Sequence, residues 1–152
     1  MRAFVFVVLA FGTLFLSAKV SLAASQASAT EAAESLGWRL GMQAYSFNRF
    51  TFFEAVEKTA ALGMKWIEAY PGQKMSQEKP DSKVHHTMSQ EDMDAVLAKL
   101  KAEGVQLVNY GVVGLGNDEA ECRKVFEFAK KMGIETITSE PEEGALDLID
   151  RL

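Results

Sequence analysis

The chain is poor in the residues that most often staple or arm a protein. Its 152 residues include one cysteine, two histidines and three prolines. A single cysteine excludes an intramolecular disulfide, and with it the stapled scaffolds of small secreted proteins. Cys122 falls within a helical pattern with no histidine near it in sequence, so packing as a small apolar side chain is a simpler role for it than nucleophile. The two histidines are adjacent, His85-His86, and neighbouring side chains rarely converge on one metal. Positive charge is in the minority as well. The 16 Lys and Arg against 21 Asp and Glu leave a formal charge of −5, which argues against nucleic acid as a partner, because phosphate binding needs a basic face. What is present is ordinary for a globular domain, with 48% apolar and 24% charged residues.

The amino terminus carries an apolar run, Ala3 to Leu16, after Met1-Arg2 and ahead of Ser21-Leu22-Ala23. A short positive start, an apolar centre and a small-residue cleavage site make a secretory signal over residues 1–23, cut near Ala23-Ala24. The alternative, a membrane anchor, needs about 20 apolar residues, and this run falls short. Export to the periplasm or the medium follows, with no stable membrane association after cleavage. Loss of residues 1–23 removes Arg2 and Lys19, leaving 14 basic residues against 21 acidic ones, net −7. Residues 24–37 are small and polar and read as a linker or a frayed helix. The folded domain is expected over 38–152.

From Trp38 onward one device recurs three times: an amphipathic helix, a glycine, then a short apolar strand ending in polar residues. The glycines are Gly63, Gly104 and Gly133, and the strands behind them close on Glu68-Ala-Tyr70, Asn109-Tyr110 and Ser139-Glu140. Each glycine stands where a helix must stop, since a residue without Cβ takes the left-handed cap conformation at little cost. Strands separated by helices imply right-handed crossovers and a parallel sheet. The spacing predicts strands at 39–45, 66–70, 105–110 and 134–139. Thr51-Phe-Phe-Glu54 and Ser89-Gln-Glu-Asp92 resemble capping boxes that open the first two helices. Asn117 is expected to cap the third, with acids Asp118, Glu119 and Glu121 in its first turn and Lys130-Lys131 in its last, as the helix dipole favours. Residues 144–152 read as the opening of a fourth helix.

Residues 71–88 form a polar loop of a length that compact domains usually reserve for function. Gly111-Val-Val-Gly114-Leu-Gly116 reads as a flexible connection, since it lacks the lysine and hydroxyl of a P-loop and the spacing of a dinucleotide fingerprint. Four parallel strands with helices on one side leave a sheet face bare, whereas parallel sheets are normally covered on both. The expectation is therefore the first half of a larger α/β fold, inactive and poorly soluble by itself because of its open edge and apolar faces.

The run Leu40-Gly41-Met42-Gln43-Ala44-Tyr45-Ser46-Phe47, the capped Phe52-Phe53-Glu54-Ala55 helix and Leu62-Gly63-Met64-Lys65-Trp66-Ile67-Glu68 resemble the start of the sugar phosphate isomerase/epimerase family. Pro71-Gly72-Gln73-Lys74 with its long polar loop resembles a secreted bacterial branch of that family. The resemblance covers about Trp38 to Leu152. It implies a xylose isomerase-like (β/α)8 TIM barrel, related to the type-2 AP endonucleases, of which this chain holds strands 1–4, helices 1–3 and the start of helix 4. It also implies a divalent metal (Mn, Mg, Zn or Co) held by carboxylates and a histidine, and proton transfer at a carbon next to the carbonyl of a small sugar. Most of those ligands belong to later strands than the four counted here. A non-catalytic carbohydrate-binding barrel is the alternative. An abasic-DNA endonuclease, the activity of the family's relatives, conflicts with the acidic charge. The oligomeric state is left open.

Ligands of parallel sheets gather at the carboxyl ends of the strands, which singles out five residues. Glu140 would be the catalytic base or a metal ligand, against the plainer reading of a loop acid beside Glu142 and Glu143. Tyr45, Glu68, His86 and Asn109 would contact substrate. Glu68 has the alternative of pairing with a nearby cation, and His86 that of a solvated loop histidine. Tyr110 ends the same strand as Asn109 and either lines the pocket or packs under the loops.

Overall fold

The structure, a computed structural model, describes residues 30–152. The signal expected over 1–23 and the first part of the linker lie outside the described residues. The chain divides into two compact units, one ending at Arg39 and one running from Leu40 to Leu152. In the first, residues 30–35 are helical, within the stretch expected as linker. Among the described residues no helix is long and apolar enough to cross a membrane.

The second unit is α/β. Its elements, in chain order, are β1 (Gly41–Gln43), a 3-10 turn (Ala44–Phe47), α1 (Phe52–Ala61), β2 (Trp66–Ala69), β3 (Gln73–Lys74), β4 (Lys83–Val84), α2 (Gln90–Glu103), β5 (Gln106–Leu115), α3 (Glu119–Met132), β6 (Thr136–Pro141), a second 3-10 turn (Glu143–Ala145) and α4 (Leu146–Asp150). Strands β1, β2, β5 and β6 form one parallel sheet in that order. The chain advances one strand at a time in one direction, so crossovers of one hand put α1, α2 and α3 on one face. The buried side chains agree. Ile67 and Ala69 from β2 and Leu107, Tyr110, Val113 and Leu115 from β5 share a core with Phe52 and Val56 of α1, Val96 and Leu100 of α2, and Val125 and Phe128 of α3.

The helix boundaries follow local chemistry. Thr51 accepts a hydrogen bond from the Glu54 amide while the Glu54 carboxylate takes the Thr51 N–H at 2.8 Å, a complete capping box. Helices α2 and α3 end on Gly104 and Gly133, at φ +67° and +69°, where any residue with a Cβ would be strained. The second expected box is half made. Ser89 caps the Asp92 amide, but the Asp92 carboxylate turns away to Lys79 and Ser82. The cap of α3 is Asp118, whose Oδ1 accepts from Ala120 and Glu121, and not Asn117, which donates to Glu142 at 2.8 Å instead. A carboxylate one residue later wins because it satisfies two free amides and faces the positive helix end.

Two stretches expected to be irregular are ordered. Within 71–88, β3 and β4 pair antiparallel, Gln73 with Val84 and Lys74 with Lys83. Gln73 is buried and its amide donates to the carbonyls of Phe47 and Phe50, while the Met75 carbonyl takes the free amide of Phe53 at the start of α1. Lys79 spans 2.7 Å to Glu91 and 3.0 Å to Asp92 at the start of α2. The loop is thereby tied to the first turns of two helices. Gly111–Leu115, expected as a flexible link, continues β5 and pairs with β6 as far as Pro141.

Candidate functional site

Which side chains meet at the sheet is decided by two irregularities in β5. Strands alternate faces residue by residue, so Leu107 on the helix side would put Asn109 there too and turn Tyr110 away. The pairing with β2 slips instead: Ile67 opposes Leu107, but the next partners are Glu68 and Asn109. Val108 is the extra residue of a β-bulge, and its carbonyl takes the Glu135 amide at 3.1 Å. Beyond it the faces are exchanged. Asn109 joins Glu68 on the face away from the helices, and Tyr110 joins Ala69 in the core. A second slip, between Tyr110 and Val113 against Ile137 and Ser139, returns Val113 to the core side.

The face away from the helices is therefore polar. Gln43, Glu68 and Asn109 stand side by side on β1, β2 and β5, with Thr136 next in register on β6 and Glu140 further along it. Asn109 donates to Thr138 Oγ1 at 3.0 Å, diagonally across the β5–β6 pair. Gln43 is turned back on the chain, its side chain accepting from the Tyr45 amide. Glu68 is half-buried and Glu140 exposed, and neither carboxylate makes a hydrogen bond or ion pair with another described residue. The geometry thus offers two unengaged carboxylates with an amide and two hydroxyls between them, suited to a polyhydroxylated ligand.

Tyr45 lies in the 3-10 turn after β1, 59% exposed, with its ring edge on Tyr70 at 5.1 Å between centroids. Burial, and Tyr45 beside it, raise the Tyr70 hydroxyl above its ordinary pKa. His86 is placed elsewhere. Its Nδ1 lies 3.2 Å from the Tyr110 hydroxyl, and its ring meets Tyr110 edge-on at 6.3 Å. Tyr110 in turn packs on Phe128 of α3 at 5.0 Å. His86 lines a cavity of about 360 Å³ with Met88, Met93, Lys124 and Phe128, between α2 and α3. Glu68, Asn109 and Glu140 thus share the sheet face, Tyr45 sits at the end of β1, and His86 belongs to the helix layer. Cys122 is buried with its thiol donating to the Gly116 carbonyl at 3.2 Å. The hydroxyl of Thr138 is the site feature missed in the sequence; threonines alternating at 136 and 138 in the last strand were the available signal.

No protein-family description matches the chain, and none of the curated proteins does. In structure the chain is similar to an uncharacterized protein from Parabacteroides distasonis ATCC 8503 known from a crystal structure. The TM-score is 0.70 at 30% sequence identity, over 75% of this chain and 48% of that one. The chain spans about half the length of that neighbour. What the two share is an α/β fold around a parallel sheet.

Proposed function

We propose that the sheet face carrying Glu68, Asn109, Thr138 and Glu140 is one wall of a sugar-binding pocket in a (β/α)8 barrel, and that the complete barrel is an isomerase or epimerase. The single observation that carries the reading is the pair of unengaged carboxylates flanking the Asn109–Thr138 pair on one face. Sequential parallel strands β1-β2-β5-β6 are the arrangement from which such a barrel is built. The resemblance of Leu40–Phe47 and Leu62–Glu68 to the sugar phosphate isomerase/epimerase family points the same way.

In this reading Asn109, Thr138 and Tyr45 bind and orient sugar hydroxyls, and Glu68 accepts a hydrogen bond from another. The Glu140 carboxylate takes the proton from the carbon beside the carbonyl and returns it to the neighbouring carbon as the hydroxyl proton passes to the former carbonyl oxygen. Epimerisation needs a second acid on the opposite wall to reprotonate the other face. Among the described residues no three His, Cys, Asp or Glu side chains are grouped as metal ligands. Glu68 and Glu140 by themselves therefore do not fit a resident Mn, Mg, Zn or Co ion. A carbohydrate-binding barrel without chemistry is the second reading, and carboxylates and a histidine at the ends of later strands are what would set the enzyme apart from it.

The test is wash-in of solvent deuterium next to the carbonyl across a panel of aldoses and ketoses, with and without Mn²⁺, on the complete gene product. Exchange on at least one sugar is expected, reduced by about 10²-fold or more in Glu140→Gln, the usual scale of a lost acid–base group. Absence of exchange on every sugar, with or without metal, overturns the enzyme; saturable sugar binding in that case establishes the binding protein.

A further inference from the structure

We propose that Tyr110 is a positioning residue for His86, fixing its imidazole as the neutral tautomer protonated on Nε2, so that His86 acts as a hydrogen-bond donor and not as a base.

The argument starts from the phenol. Tyr110 is fully buried, and a buried hydroxyl left without an acceptor costs about 1–3 kcal/mol. Among the described residues its hydroxyl has one side-chain partner, His86 Nδ1 at 3.2 Å. If Nδ1 carried the proton and donated to the phenol oxygen, the phenol's own proton would have nowhere to go. With the phenol donating to a bare Nδ1, both groups are satisfied, and the imidazole proton resides on Nε2. Burial pushes the Tyr110 hydroxyl up to about 12, so it stays protonated across the physiological range. The neighbouring histidine repeats the pattern. The Thr87 amide donates to His85 Nδ1 at 3.2 Å, and the His85 and His86 rings lie with centroids 4.0 Å apart, their planes tilted by 33°.

The charges around His86 are mixed. His85 stacks on it, Lys124 and Glu121 of α3 act on it with opposite sign, and Glu127 and Lys131 line the same cavity. Burial first, then His85, lowers its pKa below the ordinary value. Protonation would also place a hydrogen on Nδ1 and break the bond from Tyr110. The isomerase reading is not needed for any of this. In that reading the proton transfer falls to a carboxylate on the sheet face, away from the helix layer that holds His86.

The experiment is long-range ¹H–¹⁵N NMR of the full-length, ¹⁵N-labelled protein across pH 5 to 8, with Tyr110→Phe and His85→Asn beside it. The expected result is a single His86 tautomer with bare Nδ1 in the parent. Tyr110→Phe keeps the ring in the core, and should give a tautomer mixture and a His86 titration moved to higher pH. His85→Asn should raise the titration and leave the tautomer unchanged. A parent His86 protonated on Nδ1, or a Tyr110→Phe spectrum identical to the parent in tautomer and titration, overturns the proposal. Neither readout involves a sugar, so its failure is distinct from failure of the proposed activity.

Discussion

Alanine substituted in turn for the glycines of β5 provides the sharpest test of the sheet. A Cβ built on Gly111 overlaps the Thr138 carbonyl oxygen and lies 2.7 Å from Thr138 Cβ, whereas one built on Gly114, three residues on in the same strand, meets nothing within 4 Å. The obstacle at Gly111 is backbone, so no side-chain rotation relieves it. Strand β6 must move off β5 where Tyr110 pairs with Ile137 and Val113 with Ser139. Forced overpacking of this kind costs roughly 1–3 kcal/mol, and each backbone hydrogen bond lost adds about 1 kcal/mol net. The restricted unfolded chain returns about 0.4–1 kcal/mol. The net expectation for Gly111→Ala is a loss of about 2–4 kcal/mol, from the roughly 5–15 kcal/mol typical of a domain. Gly114→Ala should be neutral or slightly stabilising. Gly41→Ala, with its Cβ 3.0 Å from the Trp66 carbonyl oxygen, should fall between. Urea unfolding followed by tryptophan fluorescence reads the series. With a slope of about 1–3 kcal/mol per molar, Gly111→Ala and Gly114→Ala should differ in midpoint by roughly 1 M or more. Midpoints within about 0.3 M of each other would refute the close approach of β5 and β6.

Thr51→Ala removes the capping box of α1 and should cost about 1 kcal/mol, while Thr51→Ser should restore it; equal urea midpoints for parent and alanine variant would refute the cap. In the same variant the Glu54 carboxyl, held low chiefly by the Thr51 amide and hydroxyl, should titrate closer to its ordinary value by NMR. The lowered pKa of His86 means that the unfolded state binds more protons between that value and about 6.5. Stability should therefore fall as pH drops through about 6.5 toward the folded pKa, and His86→Gln should flatten that part of the midpoint-against-pH curve. The Cys122 thiol, buried at 2% exposure, should react with a thiol reagent only at the rate of unfolding; reaction in native buffer as fast as a free thiol would place it at the surface.

Much of the architecture was legible because it is written in local chemistry. Gly63, Gly104 and Gly133 all take positive φ, Thr51 and Ser89 cap their helices, and the parallel order follows from helices lying between strands. What escaped was short or depended on distant partners. A hairpin of two residues per strand has no periodicity to detect, and β3–β4 is held by Gln73 bonding to residues 23 and 26 positions away. Gly111-Val-Val-Gly114-Leu was read as flexible because glycine in isolation signals freedom. Gly111 is there for the opposite reason, to let β6 come close. Choosing Asn117 over Asp118 as cap failed because both residues suit the role and only Glu142, across the β5–α3 connection, draws Asn117 away.

Of the five residues singled out, Tyr45, Glu68, Asn109 and Glu140 rest on one premise, that polar groups closing a parallel strand face the ligand, and His86 on its place just before α2 at the same rim. The premise treats a strand as strictly two-fold, and β5 is not. One added residue at Val108 interchanges the faces of Asn109 and Tyr110, and the second slip restores Val113 and Leu115 to the core side. With that bulge Asn109 stands beside Glu68 and reaches Thr138. Without it Asn109 would be turned to the core side, which Ile67, Leu107 and Phe128 line, and away from Thr138. Tyr110 makes the complementary exchange, and its hydroxyl then meets His86. The same insertion thus builds the polar face of the sheet and draws His86 into the helix layer. Which of two adjacent polar residues lies on the polar face of the sheet is settled by the partner strand's register, a quantity carried by β2 and β6 and by nothing in the Asn109-Tyr110 pair itself.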